Sequence, residues 1–166
     1  MGNKGGHAAQ TVAPYYPRIV EALIRAIWFR PRIPAGKARR LRFIERIFGR
    51  RRIRVLTRPG FLFACNQMDW LQRNLLCNRI HEQEVTDHLA ASFVGDDIFF
   101  DIGANTGYFS CLALSCGVRG ATAFAPDPDT CTVMDAQRRL NGWDDTALSI
   151  VPMGLSDESG HQQLIR

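Results

Sequence analysis

The sequence predicts an α/β fold in which three parallel strands are joined by crossover helices and are preceded by a basic helical extension. After Gly95, short apolar runs alternate with longer amphipathic segments, which is the spacing of βαβ units. Before Arg58, basic residues dominate and the apolar positions have helical periodicity. With 166 residues, of which 46% are hydrophobic, the chain has material for one ordinary core. We therefore expect a basic, partly disordered extension over residues 1–58 and an α/β domain over residues 59–166, which the family resemblance described below implies to be incomplete.

Charge is divided unequally along the chain. Fourteen of the 21 Lys and Arg residues lie between Arg18 and Arg58, where the acidic residues are Glu21 and Glu45. The part after Arg58 holds 6 basic and 14 acidic residues, so the net charge of +5 conceals a strongly basic segment and a mildly acidic one. This asymmetry is typical of a basic arm that meets phosphate or an anionic surface.

Three classes of protein are disfavoured by simple patterns. No apolar run approaches the roughly 20 residues that a membrane-spanning helix needs. The N-terminus lacks the charged region, apolar core and small-residue cleavage site of a secretory signal. The five cysteines form an odd set without a C-x-x-C pair, which favours reduced thiols over disulfides or a metal site. We therefore expect a cytoplasmic protein without a metal, peripheral to the inner membrane face if its basic arm binds lipid.

Two apolar stripes define the predicted helices of the extension, which follow a loose leader over residues 1–17. The first helix covers residues 18–29 and ends before Pro31, and the second surrounds Ile44. An interfacial arm would dip these stripes into lipid while its arginines bind phosphate. Alternatively, the helices pack their stripes on the domain and leave the arginines in water, which is the commoner use of an amphipathic helix. The stripe residues are Ile19, Val20, Leu23, Ile24, Ile27 and Trp28 in the first helix, and Leu41, Phe43, Ile44, Ile47 and Phe48 in the second.

The rest of the chain alternates between predicted strands and helices. Pro59 and Gly60 predict a turn, and with it a small hairpin within residues 54–65. Residues 69–90 have helical spacing, as one helix or two short ones. The strands of the predicted parallel sheet are 98–102, 121–124 and 148–151, and the helices between them are 108–116 and 129–140.

The strand-to-helix turn of residues 100–110, FDIGANTGYFS, is the most informative segment. It lies where an open α/β sheet presents ligands, at the carboxyl ends of its strands. Gly103 and Gly107 permit a tight turn and close approach of a ligand to the backbone, and the following helix contributes N–H groups and a positive dipole end. Asp101 is placed to accept hydrogen bonds from a cationic or hydroxyl-bearing ligand. The segment therefore predicts a nucleotide-like ligand.

Three motifs make the sequence similar to a known family: FDIGANTGYFS at 100–110, AFAPDP at 123–128, and GLSD at 154–157 followed by Gly160. Their order and spacing resemble the FkbM-type methyltransferases, which depend on S-adenosyl-L-methionine and have a Rossmann-like fold. The resemblance covers residues 57–166. It implies transfer of a methyl group to a hydroxyl of a sugar, polyketide or similar small molecule.

The resemblance also implies which residues hold the methyl donor, although it implies no catalytic base. The turn from Asp101 to Gly107 would hold the methionine end of the cofactor, and the end of the second strand would lie near the ribose. The implied cofactor-binding residues are Asp101, Gly103, Ala104, Asn105, Gly107, Tyr108, Ala125 and Asp127.

One departure from the family concerns the ribose. In the family the second strand usually ends Phe-Glu-Pro, and that Glu accepts hydrogen bonds from both ribose hydroxyls, whereas this chain has Ala125. An acid at this distance from the glycine turn is the usual ribose ligand in nucleotide-binding folds. Because a hydrogen bond to a charged group contributes about 1.5–3 kcal/mol, its loss predicts an affinity lower by roughly tenfold to a hundredfold. Asp127, framed by two prolines, is the nearest substitute.

The other departure concerns length. The family fold resembles a seven-stranded sheet, and the chain supplies three strands with two helices, so we expect the N-terminal half of a Rossmann-like methyltransferase domain with little methyl transfer by this chain alone. The alternative function is non-enzymatic: a vestigial domain whose basic arm binds an anionic membrane or, less favoured, nucleic acid. A nicotinamide-dependent oxidoreductase is disfavoured, because Asn105 and Tyr108 interrupt the Gly-x-Gly-x-x-Gly pattern.

Overall fold

The structure is a computed structural model that describes residues 15–29, 37–49, 51–66, 70–158 and 160. Its helices are α1 (Arg18–Phe29), α2 (Lys37–Phe48), α3 (Trp70–Asn78), α4 (Gln83–Ser92), α5 (Tyr108–Ser115) and α6 (Pro128–Leu140). Its strands are β1 (Ile53–Leu56), β2 (Leu62–Cys65), β3 (Ile98–Ile102), β4 (Gly120–Phe124) and β5 (Leu148–Val151). No helix in these ranges is both long and apolar enough to cross a membrane.

Strands β3, β4 and β5 form a parallel sheet in that order, so the predicted α/β class is confirmed. The register pairs Phe99 with Ala121 and Ala121 with Leu148. Helix α5 connects β3 to β4, and helix α6 connects β4 to β5. The predicted helices and strands of this region differ from the observed ones by at most one residue at an end, because each lies between strong turn signals.

One face of the parallel sheet is covered by both crossover helices. Strand residues Phe99, Ala121 and Leu148 share this face and pack with Leu114 of α5 and Met134 of α6. The small side chain of Ala121 lets a helix approach the sheet closely, and Met134 fills the space between them without remaining exposure. The packing of both helices on this face fixes the orientation of the strands, so that their carboxyl ends lie at one edge of the sheet.

The opposite face of the sheet is open to solvent. Ile98, Phe100 and Ile102 alternate along β3 and stay exposed, and the Phe100 ring stacks on the ring of Phe124 with centroids 6.3 Å apart. Apart from Asp101, the residues of Ile98–Ile102 are apolar, which is typical of a strand buried on both faces. In the described part of the chain, only one of these faces is buried.

Strands β1 and β2 form the predicted antiparallel hairpin. The boundary expected between residues 58 and 59 falls in its turn, where Thr57 Oγ1 donates to the carbonyl of Phe61 at 2.8 Å and accepts from the Phe61 N–H at 3.2 Å. The hairpin and the α/β part share one core. Its buried members are Tyr16, Val20, Ile24, Ile53, Val55, Phe61, Phe63, Cys65, Leu75, Leu76, Tyr108, Cys111 and Leu112.

The end of the expected leader belongs to this core as well. Residues 1–14 lie outside the described residues, but Tyr15 forms a bridge with Arg52, and Tyr16 is buried and donates from its hydroxyl to the Gly49 carbonyl at 3.1 Å. The prediction of a loose leader is therefore wrong for residues 15–17. Tyr16 packs into the core, where its ring contacts the ring of Phe48 of α2 with centroids 6.5 Å apart.

The apolar stripe of α1 divides between two environments. Val20 and Ile24 are buried, whereas Ile19 and Leu23 are exposed. Glu21 is also buried, and its carboxylate accepts from the backbone N–H and the Nε of Arg54 at 3.1 and 3.0 Å. The ion pair between Glu21 and Arg54 of β1 therefore takes up part of the buried face of α1. Fewer apolar residues of the helix are buried than its stripe predicts.

Residues 70–92 form two short helices, α3 and α4, as one of the two predicted arrangements had it. The break between them contains Arg79 and Glu82, which both adopt positive φ angles of 61° and 40°. Leu75, Leu76 and Ile80 are buried, but Val85 is exposed on α4. Arg79 holds this break in place with two hydrogen bonds. Its backbone N–H donates to the Leu75 carbonyl of α3, and its Nε donates to the Leu56 carbonyl of β1.

Two side-chain amides, one in α6 and one on the residue that caps its end, complete the hydrogen bonding of β2. Gln137 accepts from the N–H of Ala64 at 2.7 Å and donates to its carbonyl at 3.1 Å. Asn141, one turn later, does the same for Leu62, with both distances 2.8 Å. Each amide donates one hydrogen bond to β2 and accepts one from it, so the pair substitutes for a neighbouring strand. Gln137 and Ala64 are fully buried, and no solvent replaces these bonds.

Replacing Gln137 by Met should lower the free energy of unfolding by about 3 kcal/mol, because the buried N–H and C=O of Ala64 lose their partners. Urea denaturation of the two proteins measures the difference. The matched control is Gln83→Met on exposed α4, which should stay within about 0.5 kcal/mol. Equal losses of unfolding free energy in the two variants would show that the hydrogen bonds of the Gln137 amide do not stabilise the fold.

Candidate functional site

The carboxyl ends of the three parallel strands meet at one edge. The N–H groups of Gly103 and Ala104 both donate to the Phe124 carbonyl, at 3.1 and 3.0 Å. On the other side of β4, the Ala125 N–H donates to the Val151 carbonyl at 3.1 Å. The backbone therefore brings the turn after β3, the end of β4 and the end of β5 side by side, which is where open α/β sheets bind ligands.

The turn after β3 has three residues with left-handed backbone, at φ angles of 76° for Gly103, 48° for Asn105 and 81° for Gly107. A Cβ on Gly103 would meet no atom within 4 Å, so this glycine is required for its conformation and leaves open space above the turn. A Cβ on Gly107 would lie 2.9 Å from Cγ of buried Met134. The second glycine therefore serves both the turn and the close packing of α6.

Asp101 is buried beneath the start of α5, and its Oδ2 atom binds inside the protein. It accepts from the backbone N–H of Ser110 at 3.0 Å and from the Ser110 hydroxyl at 2.6 Å. Helix α5 begins after Gly107, which has no side chain to cap the first turn. Asp101 supplies that acceptor from the strand. The Oδ1 atom makes no hydrogen bond within the described part of the chain and stays available to a ligand.

Burial raises the pKa of the Asp101 carboxyl above its usual value, and the two hydrogen bonds from Ser110 oppose the rise. Burial, with a smaller contribution from the Asp101 charge, raises the pKa of the Cys111 thiol strongly. Burial and the nearby Asp127 raise the pKa of the Cys131 thiol in the same direction. These two cysteines therefore remain thiols at neutral pH and behave as apolar side chains.

Tyr108 points away from this edge. Its ring packs against Phe61 and Phe63 with centroids 5.3 and 6.0 Å away, and its hydroxyl accepts from the His81 N–H at 3.2 Å. The side chain is 4% exposed and belongs to the core that the hairpin shares with the α/β part. Of the residues expected around the methyl donor, Ala104, Gly107 and Ala125 come together around Met134, Asn105 is exposed in the turn, and the Tyr108 side chain lies in the core.

The end of β4 offers little to a ribose. Ala125 is 3% exposed, and its carbonyl accepts from the Cys131 thiol at 3.3 Å. Asp127 is the N-cap of α6, where its Oδ1 accepts from the N–H of Asp129 at 3.1 Å and Pro128 occupies the first helical position. The acid that stands closest to the family position is therefore engaged as a helix cap.

Three N–H groups of the turn are not available to a phosphate. Phosphate-binding loops direct free backbone N–H groups at their ligand. Here the N–H groups of Gly103 and Ala104 point to β4, and that of Gly107 donates to the Ala104 carbonyl at 2.8 Å. The edge therefore offers open space above Gly103 and one carboxylate oxygen, Oδ1 of Asp101, that makes no hydrogen bond within the described residues. No cluster of His, Cys, Asp or Glu suited to a metal ion occurs among the described residues.

Ser110 is the site residue that sequence reasoning did not single out. It lies nine residues after Asp101, and the two residues come into contact only when the strand, the turn and the helix are folded. The signal in the sequence is weak: a glycine at the expected N-cap leaves the first turn without a side-chain acceptor. An acid at the preceding strand end, such as Asp101, is then a candidate cap.

Comparison of the sequence with protein-family models and with curated proteins produced no match in either case. The similarity to the FkbM-type methyltransferases therefore depends on the three motifs at 100–110, 123–128 and 154–157. In the structure, the first two motifs lie at adjacent strand ends. The third follows β5, and a Cβ on Gly154 would lie 3.8 Å from Cβ of Pro126.

The two glycines of the turn should respond differently to alanine. Gly103→Ala should cost about 1–2 kcal/mol of unfolding free energy, which is the penalty for a left-handed non-glycine residue. Gly107→Ala should cost about 2–4 kcal/mol, because crowding against Met134 is added to the same penalty. Urea denaturation of both variants gives the comparison. Indistinguishable losses would show that Met134 moves aside freely.

Asp101→Asn should change the pH dependence of stability. Because the pKa of Asp101 is higher in the folded protein, its stabilising contribution is present below the unfolded pKa of about 3.9 and is lost as pH rises through the folded pKa. Asparagine does not titrate. The unfolding free energy of the parent should therefore fall relative to that of the variant between about pH 4 and pH 7. Urea titrations at several pH values measure this difference, and a constant or opposite trend contradicts the raised pKa.

Proposed function

We propose that the chain binds S-adenosyl-L-methionine at the carboxyl edge of its parallel sheet and acts in the O-methylation of a small organic alcohol. The observation that carries the proposal is the turn after β3, in which the N–H groups of Gly103 and Ala104 are turned inward while space stays open above Gly103. These two N–H groups are not available to the phosphates of a dinucleotide. A sulfonium nucleoside needs no phosphate contact. The motifs that resemble FkbM-type methyltransferases support the same ligand.

The chain's own residues would bind and orient the donor. Gly103 and Ala104 form the floor of the site, and the available Oδ1 of Asp101 accepts a hydrogen bond from the ligand. When bound, S-adenosyl-L-methionine supplies a methyl group that is already activated. The protein then has to align an acceptor hydroxyl with that methyl group and exclude water. Met153 and Leu155 are exposed beside this edge and offer apolar surface to an organic acceptor such as a sugar or polyketide.

The ribose side of the site predicts weak binding. Ala125 provides no charged acceptor, and Asp127 already caps α6. The site therefore holds its cofactor through the turn after β3 rather than through both strand ends. We further propose that the protein works in the cytoplasm, where cysteines without a disulfide framework persist as thiols.

Calorimetry with S-adenosylhomocysteine tests the proposal. The parent chain should bind it weakly and should not bind the phosphate-bearing nucleotide NAD more tightly. Ala125→Glu should tighten binding of S-adenosylhomocysteine by about tenfold, because a carboxylate at this position can accept from the ribose hydroxyls. The matched control is Ala125→Gln, which has the same shape without the charge and should gain less.

The outcomes distinguish the alternatives. Tighter binding of NAD would overturn the proposal in favour of a dinucleotide site. Absence of S-adenosylhomocysteine binding by the parent and by a folded Ala125→Glu variant would favour the non-enzymatic alternative. Labelled methyl release from S-adenosyl-L-methionine, measured with a panel of hydroxylated acceptors, then tests the transfer step itself.

A further inference from the structure

Helix α2 exposes apolar side chains on the face that looks away from the core. Ile44 and Phe48 pack against the core shared with the hairpin. Phe43 and Ile47, four residues apart on the outer face, are 63% and 58% exposed. Residues at this spacing are neighbours on a helix surface. The outer face of α2 therefore carries a contiguous apolar pair in water.

Three arginines accompany this apolar pair. Arg39 precedes Phe43 by four residues and Arg46 follows it by three, so both are its neighbours on the helix. Arg42 is exposed as well. No hydrogen bond or ion pair to these three guanidinium groups is found within the described part of the chain. Their charges are therefore available to an external anion.

Other arginines of the basic segment are engaged inside the protein. Arg25 donates to the Arg54 carbonyl, Arg51 donates from its Nε to the Phe48 carbonyl at 2.7 Å, and Arg54 pairs with Glu21. The guanidinium of Arg54 also lies 5.1 Å from the centre of the Tyr15 ring. The structure thus separates arginines that hold the extension together from those that face solvent.

Helix α1 adds a second exposed apolar stripe. Ile19 is 74% exposed and Leu23 is 56% exposed, and Ala22 and Ala26 are exposed beside them at helical spacing. The acidic residues of the two helices do not oppose an anionic partner, because Glu21 is buried in its ion pair and Glu45 is half-buried. The outer surfaces of α1 and α2 are apolar and basic.

We propose that the exposed faces of α1 and α2 form a docking surface for an anionic lipid bilayer. Apolar side chains bordered by arginines are the pattern of helices that lie in the membrane interface, with the apolar groups among acyl chains and the arginines at headgroup phosphates. Three of the four exposed large side chains, Ile19, Leu23 and Ile47, are aliphatic. A nucleic acid would gain little from them, because its bases stack on aromatic rings. The surface therefore fits lipid.

Flotation of the full chain with phospholipid vesicles tests this inference. Binding should occur to vesicles of phosphatidylcholine mixed with phosphatidylglycerol, exceed binding to phosphatidylcholine alone, and weaken as salt rises from about 0.05 to 0.5 M. The double variant Phe43→Ser, Ile47→Ser should bind about tenfold more weakly, because insertion loses two apolar side chains. The triple variant Arg39→Gln, Arg42→Gln, Arg46→Gln should lose the preference for anionic vesicles.

Controls come from exposed residues outside the extension. Val94→Ser removes a side chain that is 66% exposed, and Arg119→Gln removes an exposed arginine, and neither should change vesicle binding. Circular dichroism verifies that every variant folds. Binding that is unaffected by the Phe43 and Ile47 changes overturns the inference, as does tighter binding to a single-stranded oligonucleotide than to anionic vesicles. Because the assay contains no methyl donor, its outcome is independent of the proposed enzymatic function.

Discussion

The hydrogen bonds from Gln137 and Asn141 to the backbone of β2 are the contact on which the rest of the fold depends. They join residues that are 73 and 79 positions apart, and they provide a free strand edge with the donors and acceptors that another strand would offer. The same helix packs Met134 against Gly107. Helix α6 therefore contacts both the hairpin and the turn of the candidate site.

Acidic residues at the candidate site are used first for structure. One oxygen of Asp101 caps α5 through Ser110, and Asp127 caps α6. Such caps stabilise helix starts by about 1 kcal/mol each, and they also fix the geometry of the edge. As a result, the site has few charged groups that remain to bind a ligand. This use of the acids is the reason that we expect weak affinity for the proposed cofactor, and that we chose Ala125 as the position to test.

The basic segment illustrates how a summed charge misleads. Its sequence predicts a basic arm, yet Arg54 compensates a buried carboxylate and Arg51 supports the end of α2. Burial of Glu21 without a partner would lower the stability of the fold, so its ion pair with Arg54 is part of the packing of α1. Arg39, Arg42 and Arg46, which remain exposed to solvent, lie on α2 together with the exposed Phe43 and Ile47. This combination is the basis of the proposed lipid-docking surface.

The sequence by itself determined the elements and their class. Local signals, namely apolar periodicity and the glycines and prolines between segments, place the strands 98–102 and 148–151 and the helix 18–29 at their observed bounds, because such signals act over a few residues. Only the tertiary structure decided which face of α1 is buried, that Tyr108 joins the hairpin core, and that Ser110 and Asp127 engage the site. These features depend on contacts between segments distant in sequence, and periodicity records that a side chain is apolar without recording what covers it.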